Sequence, residues 1–74
     1  MNKIKASKLT EREFEILTLL AKGYNNHQIA QMLIISIHTV KAHVESIYRK
    51  LGVHNKVQAA IKAHSLNLID INEY

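Results

Sequence analysis

The sequence predicts an all-α domain built from four short helices. The chain has 74 residues, of which 47% are hydrophobic, with no cysteine, no proline and two glycines. Few helix breakers and many leucine, isoleucine, alanine and lysine residues favour helices over strands. Apolar residues recur at helical spacing in four segments, which short turns separate. Because no disulfide or thiolate metal site is available, the domain must be held together by packing of one small core, alone or with help from oligomerisation.

The first helix is predicted over residues 10–22. Thr10 and Glu13 have the spacing of a capping box, in which each side chain accepts a hydrogen bond from the backbone N–H of the other residue. Gly23 follows the last apolar position and is expected to end the helix. The predicted apolar stripe consists of Phe14, Leu17, Leu20 and Ala21, with Ile16 beside it.

A short helix and a longer helix follow, with three residues between them. Asn25 and Gln28 repeat the capping-box spacing before the short helix. Ser36 is placed to cap the start of the longer helix, and Gly52 stands where that helix should stop. Their predicted spans are residues 26–33 and 37–51. Their predicted apolar faces are Ile29, Ala30 and Leu33 in the short helix, and Val40, Val44, Ile47 and Leu51 in the long one.

The fourth helix is predicted over residues 56–66. Asn55 and Gln58 give a third cap with the same spacing. Asn67 tolerates the left-handed conformation that often stops a helix. The predicted apolar stripe of this helix is Val57, Ala60 and Ile61.

The chain is predicted to form a single domain over residues 9–74, preceded by a flexible basic arm. Residues 1–8, MNKIKASK, have no helical periodicity and lack the apolar segment of a signal peptide. No apolar run in the sequence approaches the roughly 20 residues that a membrane span requires. We therefore expect a cytoplasmic protein that makes no membrane contact.

The charge of the chain is concentrated in its middle. The net charge is +4, and residues 22–62 carry six lysine or arginine residues against the single acid Glu45. A basic segment of this kind suggests a polyanionic partner such as a nucleic acid. The alternative is an ordinary solvated surface in a lysine-rich protein.

The order of a short helix, a turn of three residues and a longer helix is the helix-turn-helix arrangement. The tight turn makes the two helices cross steeply, so they share one core and leave the outer face of the longer helix exposed. The major groove of DNA is wide enough to admit an α-helix. An ordinary three-helix bundle also has short helices and tight turns, so this arrangement alone leaves both alternatives open.

The order and spacing of several short motifs resemble the LuxR/GerE-type helix-turn-helix DNA-binding domain of bacterial transcription regulators. The resemblance covers about residues 9–69 and implies a four-helix domain whose third helix recognises the major groove. In that family the fourth helix commonly supplies a dimer contact. The matching residues are Leu9, Thr10, Arg12 and Glu13; Gly23; Asn26, Ile29, Ala30 and Leu33; Ser36, Thr39, Val40, Lys41, His43 and Val44; Ile47, Tyr48, Lys50, Leu51, Gly52 and Val53; Gln58 and Ala59.

The outer face of the third helix supplies the residues that the resemblance places against DNA bases. Lys41 suits guanine O6 or N7, with a phosphate contact or plain solvation as the alternative. Ala42 is small enough to let the helix approach a thymine methyl group. Glu45 is expected to pair with Lys41 or Arg49 one turn away, with acceptance of a hydrogen bond from cytosine N4 as the alternative. The predicted base-contacting residues are Lys41, Ala42, Glu45 and His38.

Phosphate contacts are expected from polar groups near helix starts and from neighbouring basic residues. The predicted phosphate-contacting residues are Asn26, Thr39, His43, Arg49, Lys50 and Lys56. A homodimer is expected through the fourth helix, assisted by DNA, unless the same residues belong to the core. The predicted dimer residues are Val57, Ala60, Ile61 and His64.

The five histidines lack the spacing that places two imidazoles and a carboxylate around zinc, and no nucleophile–base pattern is present. We therefore expect neither a metal, a cofactor nor an enzymatic activity. The leading hypothesis is a sequence-specific transcription regulator of the bacterial nucleoid, which binds inverted repeats in double-stranded DNA and has RNA polymerase as a further candidate partner. The rival is a protein-interaction module, an adaptor or anti-activator that contacts another regulator or RNA polymerase. Either hypothesis fits a free-standing protein or the output half of a longer one.

Overall fold

A computed structural model describes residues 8–66, which form four α-helices and no strand within that range. The all-α architecture is therefore confirmed, and each predicted helix boundary within the described range is correct to within one residue. Residues 1–7 of the predicted arm and the predicted stop at Asn67 lie outside the described range. The helices are α1 (Glu11–Ala21), α2 (Asn26–Leu33), α3 (Ile37–Leu51) and α4 (Lys56–Ser65).

Side-chain caps begin all four helices. The predicted capping boxes of α1 and α2 are both complete, with Thr10 and Asn25 as the N-cap residues. In α4 the Oδ1 atom of Asn55 accepts from the backbone N–H of Gln58, as predicted. The Gln58 Oε1 atom, however, accepts from the N–H of His54 at 2.8 Å and not from that of Asn55. The third predicted box is therefore only half formed.

The core lies where α1 packs against α3 and α4, and where α2 packs against α3. The predicted inner stripe of α3 is confirmed, since all four of its residues are buried. The buried hydrophobic residues are Ile16, Leu17, Leu20, Ile29, Val40, Val44, Ile47, Leu51, Ala59 and Ala63.

The buried face of α1 is rotated from the predicted one. Ile16 is fully buried, whereas Phe14 is 40% exposed, so the assignment of Phe14 to the core is wrong. The reason is that Glu13 occupies the buried stripe, three and four residues before Ile16 and Leu17. A carboxylate on the inner face shifts the centre of that face away from Phe14.

The packing face of α4 also differs from the predicted stripe. Ala59 and Ala63 are buried against the rest of the domain, while Val57 is 67% exposed and Ile61 is 63% exposed. The alternative that Val57 and Ile61 are core residues is therefore wrong. Small side chains allow two helices to approach closely, so α4 contacts its neighbours through alanines and directs its large apolar residues outward.

One buried charge links α1 to α3. The Glu13 residue is only 4% exposed. Its carboxylate accepts hydrogen bonds from the Ser46 Oγ at 2.6 Å, the Lys50 Nζ at 2.8 Å and the backbone N–H of Thr10 at 3.0 Å. A buried carboxylate is tolerated when it is paired and its oxygen atoms are hydrogen-bonded, and both conditions hold here.

The environment of Glu13 shifts its pKa strongly. Burial alone raises the pKa, because it penalises the charged carboxylate. The hydrogen bonds from Lys50, Ser46 and the Thr10 backbone, with the charge of Lys50, outweigh this effect and lower the pKa from 4.5 to about 2. The carboxylate is therefore ionised throughout the neutral range and stabilises the fold in that form.

The turn between α2 and α3 contains a strained residue. Ile34 has φ 56° and ψ 51°, and it is the one non-glycine residue with positive φ among the described residues. The Ile35 N–H bonds to the Ala30 carbonyl and the Ile34 N–H to that of Gln31, which is the Schellman pattern of a helix end. Glycine is usual at this left-handed position, because a β-branched side chain there crowds its own backbone.

Replacement of Glu13 by glutamine should reduce stability in a pH-dependent way. The pKa of Glu13 is about 2 in the folded state and ordinarily 4.5, so the ionised form contributes about 3 kcal/mol that is present above about pH 4.5 and lost as the pH falls toward 2. The difference in free energy of unfolding between the wild type and Glu13→Gln should therefore shrink by about 3 kcal/mol from about pH 5 to about pH 2. Urea unfolding monitored by circular dichroism measures it, with the exposed Glu11→Gln as the control. A difference that does not change with pH would contradict the prediction.

Replacement of Ile34 by glycine should stabilise the domain. Ile34 is 89% exposed, so its side chain contributes little burial. Relief of the left-handed strain exceeds the extra chain entropy of glycine, and we expect a gain of about 0.5–1 kcal/mol. Thermal unfolding measures the change. Ile34→Ala is the matched control and should gain less, because alanine keeps a Cβ atom. A loss of stability in Ile34→Gly would show that the extra chain entropy of glycine exceeds the relief of strain.

Candidate nucleic-acid interface

The outer face of α3 is a continuous exposed surface. Its members recur three or four residues apart, opposite the buried stripe, and therefore lie along one side of the helix. With 15 residues, α3 is about 22 Å long. An exposed helix of this size fits the major groove, which is about 12 Å wide. The exposed residues of this face, termed the reading face below, are His38, Lys41, Ala42, Glu45 and Arg49.

Glu45 has no ion-pair partner in the described part of the chain. The two ion pairs within residues 8–66 are Arg12–Glu15 and Glu13–Lys50. The expected pairing of Glu45 with Lys41 or Arg49 is thus absent from the free domain. Its exposed carboxylate is available to accept hydrogen bonds from a partner.

The first turn of α3 is fixed by its cap. The Ser36 Oγ accepts from the Thr39 N–H at 3.0 Å and lies 2.9 Å from the Thr39 Oγ1. Both residues are exposed. This arrangement holds the Thr39 hydroxyl beside the positive end of the helix dipole, where anions are favoured. Asn26 occupies the corresponding first turn of α2, as its first residue.

The basic residues predicted to contact phosphate differ in their exposure and in whether they already have a partner within the domain. Arg49 is exposed and His43 is half-buried on the same helix. The Lys56 Nζ donates to the Tyr24 carbonyl at 2.9 Å, which joins the start of α4 to the turn after α1. The Lys50 Nζ is held by Glu13, so its charge is already neutralised inside the domain. Lys50 thus already has a carboxylate partner within the domain, and its phosphate contact stays a prediction.

No aspartate, glutamate, lysine or arginine side chain belongs to α2 or to the turn before α3, because none lies between Lys22 and Lys41. Contacts from α2 to a phosphate backbone would therefore use neutral amide, imidazole and backbone donors. The charged groups near the reading face come from α3 itself.

The exposed side of α4 carries two large apolar side chains, Val57 and Ile61. Ile61 stands between two shallow hollows of about 280 and 370 Å³. Ala60 and His64 line the smaller hollow, and Gln58 and Lys62 line the larger one. Val57 lies one turn before Ile61 on the same side of the helix. A protruding side chain beside hollows is the shape that a second copy of the same surface can fit.

Sequence reasoning missed the role of Glu13 and Ser46. Glu13 was interpreted only as a capping residue, although its spacing with Leu17 and Leu20 places it on the buried stripe of α1. Ser46 and Lys50 are four residues apart and flank the buried stripe of α3. These two spacings together were the available signal for a buried ion pair between the helices.

Other kinds of site find no support in the part of the chain that the structure describes. Within residues 8–66 no group of three or more histidine, cysteine, aspartate or glutamate side chains could hold a metal ion. No helix in that range has the length and hydrophobicity that a transmembrane segment requires.

Comparison with known proteins identifies the fold and the family. The family described as "Bacterial regulatory proteins, luxR family" matches residues 7–63. The response regulator protein VraR of Staphylococcus aureus is 56% identical over 61 residues, and so is VraR of Staphylococcus epidermidis. Each alignment covers 82% of this chain and 29% of the relative.

The crystal structure of the response regulator ChrA, from a heme-sensing two-component system, has the same fold, with a TM-score of 0.80 and 48% sequence identity. That similarity covers 82% of this chain and 30% of the ChrA chain. This chain thus spans less than a third of the length of the relatives that it matches. The family match and the shared helix-turn-helix fold show that the chain belongs to the luxR family of bacterial regulatory proteins, as a sequence-specific DNA-binding domain of that family.

Proposed function

We propose that the domain recognises its DNA site by inserting α3 into the major groove, with the reading face against the base edges. The observation that carries this proposal is the complete exposure pattern of α3, whose apolar side is buried and whose polar side is free. Lys41 and Ala42 occupy the middle of the exposed side, within the first two turns of the helix. In helix-turn-helix proteins the base contacts come from the N-terminal part of the recognition helix.

Glu45 is proposed to accept a hydrogen bond from a base and not to form an ion pair with Lys41 or Arg49. Its carboxylate has no ion pair in the described domain, so it keeps its full acceptor capacity. A carboxylate near DNA is repelled by phosphates, and this cost is offset only where a base donor such as cytosine N4 faces it. Glu45 therefore favours sites with a C·G pair at one position and disfavours others.

Phosphate contacts are proposed to position the domain on the duplex. The candidate donors near the starts of α2 and α3 are neutral, whereas Arg49 in α3 and Lys56 at the start of α4 are charged. Such contacts fix the register of the protein but carry little sequence information. The proposed phosphate-contacting residues are Asn26, Thr39, His43, Arg49 and Lys56.

The exposed apolar side of α4 is proposed to form the contact between two copies on DNA. Val57 and Ile61 contribute nothing to the core, and Ile61 protrudes between two hollows. Ala60 and His64 complete the proposed contact. Such a small patch gives a weak dimer that DNA binding assists, and a two-fold dimer requires an inverted repeat as its site.

The whole protein is proposed to be a transcription regulator. The relatives are response regulators of which this chain matches less than a third, so the domain would be the DNA-binding part of such a protein. We place this function in the bacterial cytoplasm, at the nucleoid, with RNA polymerase as a candidate second partner. The rival function, a protein-interaction module, is weakened by the family match and by the free acceptor and donor groups of the reading face.

Replacement of Lys41 by alanine should separate base recognition from phosphate binding. We expect affinity for a duplex selected from a random pool to fall roughly tenfold or more, because one good base contact is lost, while affinity for random duplex falls much less. Fluorescence anisotropy at low and high salt measures both affinities. An equal loss of affinity for the two duplexes would show that Lys41 contacts a phosphate and not a base. Wild-type binding that is absent at low salt, or indifferent to salt, would overturn the DNA proposal itself.

Replacement of Ile61 by glutamate should prevent the second copy from binding. The side chain is largely exposed, so the fold is retained, but two carboxylates would meet across the proposed two-fold contact. We expect two chains per inverted-repeat duplex for the wild type and one for the variant, by sedimentation velocity of the complexes. Phe14→Glu, which adds the same charge to an exposed apolar position on α1, is the matched control. Two chains per duplex in Ile61→Glu would show that the dimer uses another surface.

A further inference from the structure

The hydrogen-bonded cluster of Glu13, Ser46 and Lys50, termed the inter-helix clamp below, makes directional contacts between α1 and α3. Apolar packing is non-directional, so the buried stripe of α3 sets how deeply the helix sits but resists rotation and sliding only through shape. Hydrogen bonds weaken steeply when distance or angle changes. The Glu13 carboxylate receives donors from two positions one turn apart on α3, at 2.6 and 2.8 Å. Two such bonds oppose both rotation and axial displacement of the helix.

The inter-helix clamp lies directly beside the reading face. Ser46 follows Glu45 in the chain and Lys50 follows Arg49, so each clamp residue is about 100° around the helix from a reading-face residue. A rotation of α3 by about 20° would move a side-chain tip at the helix rim by roughly 2 Å. That displacement is enough to break a hydrogen bond to a base edge.

We propose that Glu13 is a positioning residue for base recognition. Its buried carboxylate holds Ser46 and Lys50, and through them it sets the rotation at which Lys41 and Glu45 meet the bases. Lys50 belongs to this clamp and makes no phosphate contact, because its charge is matched by a carboxylate whose side chain is only 6% exposed. The inference rests on the proposed function, in which the reading face contacts the bases.

The role of Glu13 extends beyond stability because the clamp acts on the angle of α3. Loss of a core methyl group weakens the fold but leaves the donors and acceptors that orient α3 in place. Loss of the Glu13 charge leaves Lys50 without its counter-ion. Only the apolar packing of the buried stripe then opposes rotation of α3. The two kinds of change should therefore differ in sequence discrimination and not only in unfolding temperature.

The test measures the ratio of affinities for a duplex selected from a random pool with the wild-type chain and for a random duplex. At a temperature where circular dichroism shows full folding, Glu13→Gln should lower this ratio roughly tenfold. That is about the effect of losing one base contact. Ser46→Ala, which removes one clamp donor and keeps the ion pair, should lower it less. Ile16→Val, which removes one buried methyl group from the same helix, is the matched control and should leave the ratio unchanged.

The salt dependence of binding provides a second, independent measurement. Lys50→Met should leave the slope of log affinity against log salt unchanged, because no phosphate counter-ion is released by a residue paired inside the domain. Arg49→Met, one position earlier and exposed, should reduce the slope by about 1. A slope reduced equally by both variants would return Lys50 to the phosphate contacts and overturn its assignment to the clamp.

The outcomes separate this inference from the proposed function. If Glu13→Gln and Ser46→Ala both keep the wild-type affinity ratio while Lys41→Ala lowers it, the positioning role is overturned. The proposed base contacts of the reading face are then retained. A lowered ratio in Glu13→Gln with an unchanged ratio in Lys41→Ala would support the positioning role while removing Lys41 from the base contacts. If Glu13→Gln fails to fold, Ser46→Ala carries the same test.

Discussion

The arrangement of the helices depends on the ion pair and hydrogen bonds that the Glu13 carboxylate makes with α3. A charge removed from water is costly, and it is retained only where a counter-charge and hydrogen bonds compensate it. Here the compensation comes from Ser46 and Lys50 of α3 and from the backbone of Thr10. The first helix therefore contributes more than apolar surface, because it carries the acceptor to which α3 donates.

This constraint divides the functions of α3 between its sides. One side is apolar and buried, a second provides the clamp donors, and the third remains exposed with a free carboxylate and a free lysine. A helix that is held on two sides presents its remaining side at a fixed angle. A fixed angle is what base recognition requires, since hydrogen bonds to base edges tolerate little displacement.

The same domain places its weak points outside the buried core. The turn before α3 contains a strained, exposed isoleucine, and α4 directs Val57 and Ile61 into solvent. Backbone strain lowers the stability of an isolated domain, whereas exposed apolar groups mark a surface that a partner can cover. On α4 the exposure becomes understandable if a second copy covers it on DNA. Nothing in the described structure accounts for the choice of isoleucine at position 34.

The sequence by itself determined the four helices, their ends, the inner stripe of α3 and the exposed position of Lys41, because capping and helical periodicity are local properties. Only the tertiary structure decided the inward rotation of Glu13, the outward direction of Ile61, and the pairing of Lys50 with Glu13, 37 residues away. These outcomes depend on which side of a helix meets its neighbour, a choice made by the packing of several helices at once. For Lys50 that choice supplies a carboxylate partner within the fold, which local sequence patterns did not show.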